Sequence, residues 1–594
     1  TIEFSPAFSD WEGADQIVVP LYVPEGARPM ARIRVDSGSH TPGLVGNDYM
    51  HCYYRYLHSG WGRLEFPYEN MLIFGTPDQW RDVTKVSLVL QGEGQGEFLV
   101  GGLAIEERER PAGPRMTDEE LFAALDLSCP GLEEVRSAVE SGDLAAARAA
   151  LVDYLRTRER PVAPYPSQPT PRPGFDRRAA DLICRHYVLE QQLDEDIDWR
   201  ANPIGYLEWM HAFNRHGFLG TLVDAYLATG DEAYAAKLDY LLSTWMEASP
   251  PPVGNNGGGD PAWETLSTAC RISVGSAVWV RIWSALCDSP SFRPETRIDM
   301  FKSFYEHAEH LVPYPTGHNW LVAESSAVAT VGMLFPEYVR SAEWRRIGME
   351  RLEREIAYQV YPDGAQFELS PGYHRMCADI FANVYALARA NEYPVSDEFS
   401  RRLESMYDYT MHVTRPDGTR PSLNDAGAAD ISTAPELSRG DALFSRPDFR
   451  YVASQGREGA PPAETSHAFP YAGHYVMRTG WDREALWALV DAGPYGAAHQ
   501  HEDKLNIELY AYGTRFVLDP GIASYLDDPL THHQRATAAH NTVLVDGLGQ
   551  DRRTTVPRAR YRVEEPEPAR WGSTARLDYL WAEYADGYLG LALA

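Results

Sequence analysis

The spacing of apolar residues along this chain changes twice. Over residues 1–110 they come in short bursts, "QIVVPLYV", "ARIRVDS", "RLEFPYENMLIFG", "KVSLVLQG" and "GEFLVGGLAI", separated by Gly, Pro and Asp. Runs rich in β-branched and aromatic residues between turn residues predict strands, here an N-terminal β-sandwich. "ERERPAGPR" breaks the pattern, and from "MTDEELFAALDL" the apolar step becomes three and four residues, the spacing of one helix face. "CPGLEEVRSAVESGDLAAARAALVDYLRTR" predicts two helices turning at Gly142 and Asp143, and the prolines from Pro161 to Pro173 predict a surface crossing. Helices are then expected near 208–229, 231–247, 264–287, 294–311, 319–334, 341–359, 375–391 and 396–415, joined by short connections as antiparallel hairpins. From about residue 467 alternation returns in "YAGHYVMRTG", "ALWALVDAG", "LNIELYAYG", "RFVLDPG", "NTVLVDG" and "RARYRVEE". The expected fold class is multidomain α+β: a β-sandwich over 1–110, an α/α toroid over 111–465 and a C-terminal antiparallel β-sheet domain over 466–594.

Length agrees with several domains, because one hydrophobic core stops growing at roughly 250–300 residues and the chain has 594. An apolar share of 44% with 23% charged residues is that of a soluble globular protein, and no uncharged apolar run approaches the ~20 residues that span a bilayer. The chain starts at Thr1, and "TIEFSPAFSDWEG" has no basic-then-apolar signal, so a targeting segment is expected to be cleaved or lacking. A net charge of −31 argues against wrapping nucleic acid, while a local basic strip can still attract a polyanion. The six cysteines, at 52, 129, 184, 270, 287 and 377, form no CxxC pair and are expected mostly as buried thiols. Trp11, Trp61 and Trp80 either fill the sandwich core or stack on sugar rings.

Three stretches carry unusual polar density. In "YPTGHNWLVAESSAVATVG", His318, Asn319 and Trp320 open an apolar helix, with Asn319 suited to be its N-cap. "YPDGAQFELSPGYHRMC" reads as a loop crowded with Gln366, Glu368, Tyr373, His374 and Arg375, either a site or a solvated connection. In "GAAHQHEDKLNIELYAYGTRFVLDPG", an extended 499–503 puts His499, His501 and Asp503 on one face about 6.5–7 Å apart. A hairpin turning at Gly513 places Asp519 opposite Asn506 or Ile507, too far from His501 to share an ion unless the chain bends between 499 and 505. His540, at the start of a further expected strand, completes a two-imidazole, one-carboxylate set that zinc or manganese accepts. Arg558, Arg560 and Arg562 alternate along the expected strand "RARYR", beside Arg552 and Arg553, and form either an anion track or a solvated face. Trp263, Glu264 and Arg271, after "GNNGGGD", are candidate subsite residues on the toroid rim or packing residues.

"CPGLEEVRSAVESGDLAAARAALVDYLR", "HNWLVAESSAVATVGMLFPE", "DGAQFELSPGYH", "HQHEDKLNIELYAYGTRFVLDPG" and "AHNTVLVDG", in this order over roughly 116–594, resemble the heparinase II/III-like polysaccharide lyases. The resemblance implies an incomplete (α/α) toroid with a C-terminal antiparallel β domain, and β-elimination of uronic-acid polysaccharides. The amino-terminal sandwich resembles that of broad-specificity glycosaminoglycan lyases. Asn319 then falls on the partner of the substrate carboxylate, Tyr373 on the catalytic tyrosine, and His499 on the second acid-base group. His501, Asp519 and His540 fall on ligands of one divalent ion, Zn2+ or Mn2+, read as structural. His318, Trp263, Arg271, His374, Arg375, Gln366 and Arg535 are the substrate-binding candidates, with Arg375 or the metal expected to lower the pKa of Tyr373. The partner expected is an acidic polysaccharide, glycosaminoglycan or alginate, with no nucleic acid and no membrane, in a secreted or periplasmic setting. Many members have His where this chain has Trp320, and the chain ends at Ala594, before the family's β domain usually finishes. A toroid glycoside hydrolase using Asp363 and Glu368, or a non-catalytic sugar-binding protein, are the competing readings.

Overall fold

The computed structural model describes residues 1–594 apart from 7–9, 12–13, 15, 25–27, 40–48, 52–54, 57–59, 68–71, 75–79, 94–96, 107–114, 164–170, 172–174, 254–255, 259, 276, 428–429, 558–559 and 589–594. The first residues build two antiparallel sheets. Gln16–Val23 lies between Ala104–Glu106 and Gly60–Pro67 in one, and Arg28–Ser37 lies between Val83–Glu93 and Tyr49–His51 in the other. Alternation does the sorting, since Ile17, Val19, Ile33, Val35, Phe66, Val86 and Leu88 share one buried core. Of the tryptophans proposed there, Trp11 is in that core, Trp80 packs on it and Trp61 is exposed.

Helices begin at Asp118–Ala123, whose Thr117 and Glu120 form a reciprocal capping box. Consecutive helices then pack in pairs, most extensively His318–Leu334 on Ser341–Gln359, with Pro371–Ala390 also on Asp397–Val413. The helix expected at 264–287 is broken into Thr265–Ser273 and Val278–Ala285, and the one at 208–229 into Leu207–Asn214 and Leu219–Thr229. His216 at the second break and Ala277 at the first carry left-handed φ values of 63° and 46°, which an unbroken helix cannot contain.

A five-stranded antiparallel meander follows, in the order His467–Phe469, His474–Arg478, Trp487–Asp491, Asn506–Ala511 and Thr514–Val517. Tyr361, Phe367, Tyr409 and Leu423 of the helical part share a core with Phe469, Val476, Leu489 and Tyr510 of the sheet. The Asp363 carboxylate reinforces that seam by accepting from the amides of Tyr471 and Ala472 at 2.7 and 3.1 Å. Two expected strands are missing among the described residues. "NTVLVDG" contributes a single bridge, Val545 with Leu548, and Arg552–Thr555 forms a helical turn ahead of "RARYR". The alternating arginine track is therefore not built. Arg558 lies outside the described residues, Arg552 is buried on Asp586 and the Gly493 carbonyl, and Arg562 covers Tyr358 while pairing with Glu564. The five described cysteines are free thiols, and of these only Cys377 is fully buried. No described helix is long and apolar enough to cross a membrane.

Candidate active site

Pro371 opens the helix Pro371–Ala390 at its first position, where a missing N–H costs no intrahelical bond. Tyr373, His374 and Arg375 therefore project from a first helical turn, not from the expected loop. Gly372 lets this turn approach the backbone of Ala426, from which a Cβ would lie only 3.0 Å. Alongside, the Ala497 amide donates to the Phe367 carbonyl at 3.1 Å and lays the segment before His499 against residues 366–369. Residues 499–503 are not extended: His499 has φ 64° and Leu505 φ 68°, and the strand starts only at Asn506. This is the bend that a metal set containing His501 demands. His318, Leu369 and Asn424 are left-handed too, at 56°, 58° and 55°, so backbone strain gathers where these segments meet.

At the meeting point lies Glu368, fully buried. Its carboxylate accepts from the backbone N–H of Asn319 at 3.2 Å, from Asn319 Nδ2 at 3.1 Å on each oxygen, and from His499 Nδ1 at 2.8 Å. Burial alone pushes this carboxyl up, but the hydrogen bond from His499, with His318 and the Asn319 amide, prevails and holds it well below the ordinary carboxylate range. Asn319 is thus not the N-cap; Gly317 takes that place without a side-chain bond. The Tyr373 ring stacks on the His499 imidazole with centroids 3.5 Å apart, and its hydroxyl lies 2.7 Å from that of Tyr525. Tyr525 in turn donates its backbone N–H to Tyr206 Oη at 3.1 Å, linking the β domain to the start of the helix Leu207–Asn214. Burial raises the pKa of Tyr373, the Tyr525 bond opposes this, and Asp425 and Glu368 add to the rise.

Arg375 does not lower that pKa, since it pairs with Asp379 at 3.4 Å one turn along its own helix. Arg215, paired with Glu208 at 3.3 Å, is near enough to feel the charge of Tyr373; burial works against its own charge, and Cys270, Glu208, Glu264 and Tyr373 outweigh that. Glu368, Tyr525 and Arg215 escaped sequence reasoning as members of one site. Only the crowding of "YPDGAQFELSPGYHRMC" pointed to the first, and nothing local marks the other two.

His501, Asp519 and His540 are buried with one potential ligand atom each, all within 4.8 Å of one another. The donor set fits an ion. His501 Nε2 is bonded to Asp425 at 2.9 Å and His540 Nδ1 to Asp519 at 2.8 Å, while His501 Nδ1 and His540 Nε2 are buried without a hydrogen-bond partner. A carboxylate on one imidazole nitrogen with the other left bare is how metal-binding histidines are oriented. Asn506 Nδ2 holds Asp519 at 2.7 Å from the opposing strand, as the Gly513 hairpin predicts.

The remaining candidates divide. His318 stays beside Glu368, its pKa lowered by burial against the pull of that carboxylate. Arg535 lies at the edge of the site, 3.4 Å from Asp425 and 5.6 Å from the centre of the Tyr525 ring. Trp263 and Arg271 are not on a rim but wholly inside the helical core. His374 is buried, accepting at Nδ1 from the Gln366 amide and donating from Nε2 to the Met406 carbonyl, so it offers nothing to a ligand. Gln366 is equally enclosed, bonded to Gln359 at 3.2 Å and to the Glu368 amide at 3.0 Å.

Comparison with known proteins matches the heparinase II/III N-terminus family over residues 121–449 and the heparinase II/III-like C-terminal family over 461–592. A heparin-sulfate lyase of Bacteroides stercoris is 30% identical over 471 residues, which are 74% of this chain and 70% of that protein. Among solved structures, the heparan sulfate lyase HepC from Pedobacter heparinus superposes with a TM-score of 0.56 at 27% identity, over 77% of this chain and 72% of that one. A heparinase III gene product gives 0.59, also at 27% identity, over 77% and 73%.

Proposed function

The chain belongs to the heparinase II/III family and is a polysaccharide lyase, and from that premise we propose that it cleaves glycosaminoglycans by β-elimination, leaving unsaturated uronate ends. The observation that carries this reading is the meeting of Asn319, Glu368, Tyr373 and His499, drawn from three separate stretches of chain.

Removing the C5 hydrogen of a uronate builds charge on a carboxylate that is already anionic, so a donor has to face it. The Asn319 amide has two hydrogens, and with one held by Glu368 the other is left for the substrate carboxylate. His499 gives its Nδ1–H to Glu368, which leaves Nε2 to accept the C5 proton. The Tyr373 phenol, with its pKa raised, rests protonated and is prepared to donate to the departing O4. For the opposite C5 epimer Tyr373 takes the proton as a phenolate, having released its own proton to solvent, with the Tyr525 hydroxyl 2.7 Å away to donate to the phenolate oxygen. Arg215 and Arg535 border this space and suit carboxylate or sulfate groups. His501, Asp519 and His540 would hold a divalent ion, whose positive charge would tie the bend after His499 to the segment that follows the strand Thr514–Val517.

The hydrolase alternative loses its acid. Asp363 is occupied by two backbone amides, and Glu368, held well below the ordinary carboxylate range, stays ionised at any working pH. Heparan sulfate is the first substrate to try, since the relatives are heparin-sulfate lyases. The test is ultraviolet absorbance after incubation with heparan sulfate, hyaluronan, chondroitin sulfate and alginate. Elimination creates a conjugated double bond, so cleavage with no absorbance rise overturns the proposal, and a rise with alginate alone replaces the substrate class.

A further inference from the structure

An imidazole is useful as a base only if its reactive nitrogen is bare, and in neutral histidine one of the two nitrogens always carries the proton. Which one is decided by what faces it. In this protein the group facing His499 Nδ1 is an ionised carboxylate, which can only accept. No hydrogen bond from a described residue reaches Nε2, and 19% of the His499 side chain remains exposed.

We infer that Glu368 is a positioning residue that locks His499 as the Nδ1–H tautomer and clamps Asn319 to it, so that the base and the carboxylate donor are placed as one unit. This rests on the elimination reading above. Four contacts define the clamp: the Asn319 amide N–H on Oε1, Asn319 Nδ2 on both oxygens, and His499 Nδ1 on Oε2. Glu368 is itself fixed from behind, its own N–H donating to Gln366 Oε1 at 3.0 Å. Gly496 carries the neighbouring segment past the Glu368 carbonyl in a backbone with φ 89°, a conformation that L side chains rarely adopt. A residue that merely filled space here would need no acceptor on both sides. All the atoms that face the Glu368 carboxylate in these contacts are donors, and they belong to the two residues the reaction requires.

Glu368→Gln isolates the idea because it keeps the shape and changes one acceptor into a donor. With Gln Oε1 retained by the Asn319 amide, the new NH2 faces His499 Nδ1 and forces the proton to Nε2. In acid-base triads where the orienting carboxylate is made an amide, the wrong tautomer costs about 10⁴ in kcat with geometry intact. The expected result is therefore a fall in kcat of about 10²–10⁴-fold with KM little changed, and partial recovery in Glu368→Asp, which keeps a carboxylate. The second measurement is 15N NMR of histidine-labelled full-length protein, with Nδ1–H at His499 in the parent and Nε2–H in Glu368→Gln. Full activity in Glu368→Gln, or Nε2–H at His499 in the parent, overturns the inference; the parent spectrum decides even if the variant does not fold. Parallel assays of Tyr373→Phe keep the two readings apart. An active Tyr373→Phe removes the elimination scheme, whereas an inactive Tyr373→Phe beside a fully active Glu368→Gln removes only the role of Glu368.

Discussion

Arg271 and Glu368 are both fully buried charges bonded to a histidine, yet they do opposite things. Arg271 donates from Nε to His307 at 2.8 Å and from Nη1 to the Asn214 carbonyl at 2.9 Å, with its guanidinium 4.4 Å from the centre of the Trp245 ring. His307 is closed on its other side by the Ser303 carbonyl, and burial holds Arg271 down at about 9. Each partner of this group turns inward. The partners of Glu368, by contrast, keep something in hand: one hydrogen on Asn319, Nε2 on His499, and on Tyr373 a hydroxyl shared only with another hydroxyl. Two buried glutamates sharpen the point. Glu324, met only by Thr265 and by Thr316 through its hydroxyl and amide, is pushed up to about 7 by burial, whereas histidine and amide donors hold Glu368 well below the ordinary carboxylate range. Arg271 Nη2 is also left without a hydrogen bond, but sealed in the core, so a site is made by hydrogen-bonding capacity left over where a substrate can reach it, as at the partly exposed His499.

The difference is breakable by substitution, and the largest effect is expected at Tyr373. Tyr373→Phe should lower kcat by about 10²–10⁴-fold while leaving the melting temperature near that of the parent; appreciable elimination product from the variant ends the assignment. Arg271→Met should do the reverse, costing about 1–3 kcal/mol in denaturant unfolding because His307 and the Asn214 carbonyl lose their partner, with kcat per folded molecule unchanged. A fall in kcat with stability intact would return Arg271 to the substrate. Stripping divalent ions with a chelator is expected to lower stability by about 2–3 kcal/mol, and His540→Ala should abolish that dependence. Identical melting curves, with no ion found by elemental analysis, would dissolve the metal set. The last effect concerns Glu324. Its folded pKa, about 7, lies above the ordinary carboxyl value of 4.5, so the folded state binds the proton more tightly and loses stability as pH rises from 4.5 to 7. Glu324→Gln should match the parent near pH 4.5 and exceed it by about 3 kcal/mol at pH 8; a constant difference across that range would show that the carboxyl does not titrate.

Much of the fold could be read from periodicity. The helices at 294–311 and 341–359 begin and end where three- and four-residue spacing places them, because Pro294 and the polar positions around Ser341 mark their starts. The Gly513 hairpin sets Tyr510 against Arg515, and beyond a bulge it brings Asp519 to Asn506. The strand predicted through "RARYR" failed because alternation of Arg with small residues is a weak signal unless a sheet waits to receive it. Trp263 and Arg271 were misplaced for a related reason: a Gly-rich stretch before an amphipathic helix looks the same whether that helix faces solvent or a ring of tryptophans. Asn319, Tyr373, His499 and the set of His501, Asp519 and His540 were each named through the resemblance, but that the first three gather at Glu368 and the last three lie within 4.8 Å of one another was illegible.

By itself the sequence determined the succession of strands, helices and strands, the main turns, and the hairpin that carries Asp519. These depend on side-chain spacing within a few residues, which local periodicity records. Only the tertiary structure decided that Glu368 would lie between Asn319 and His499, 49 residues from one and 131 from the other. It also decided that Arg271 would be sealed among aromatic rings. The physical reason is that burial and unspent hydrogen bonds belong to a residue's neighbours in space, and those neighbours come from chain segments that no local pattern connects.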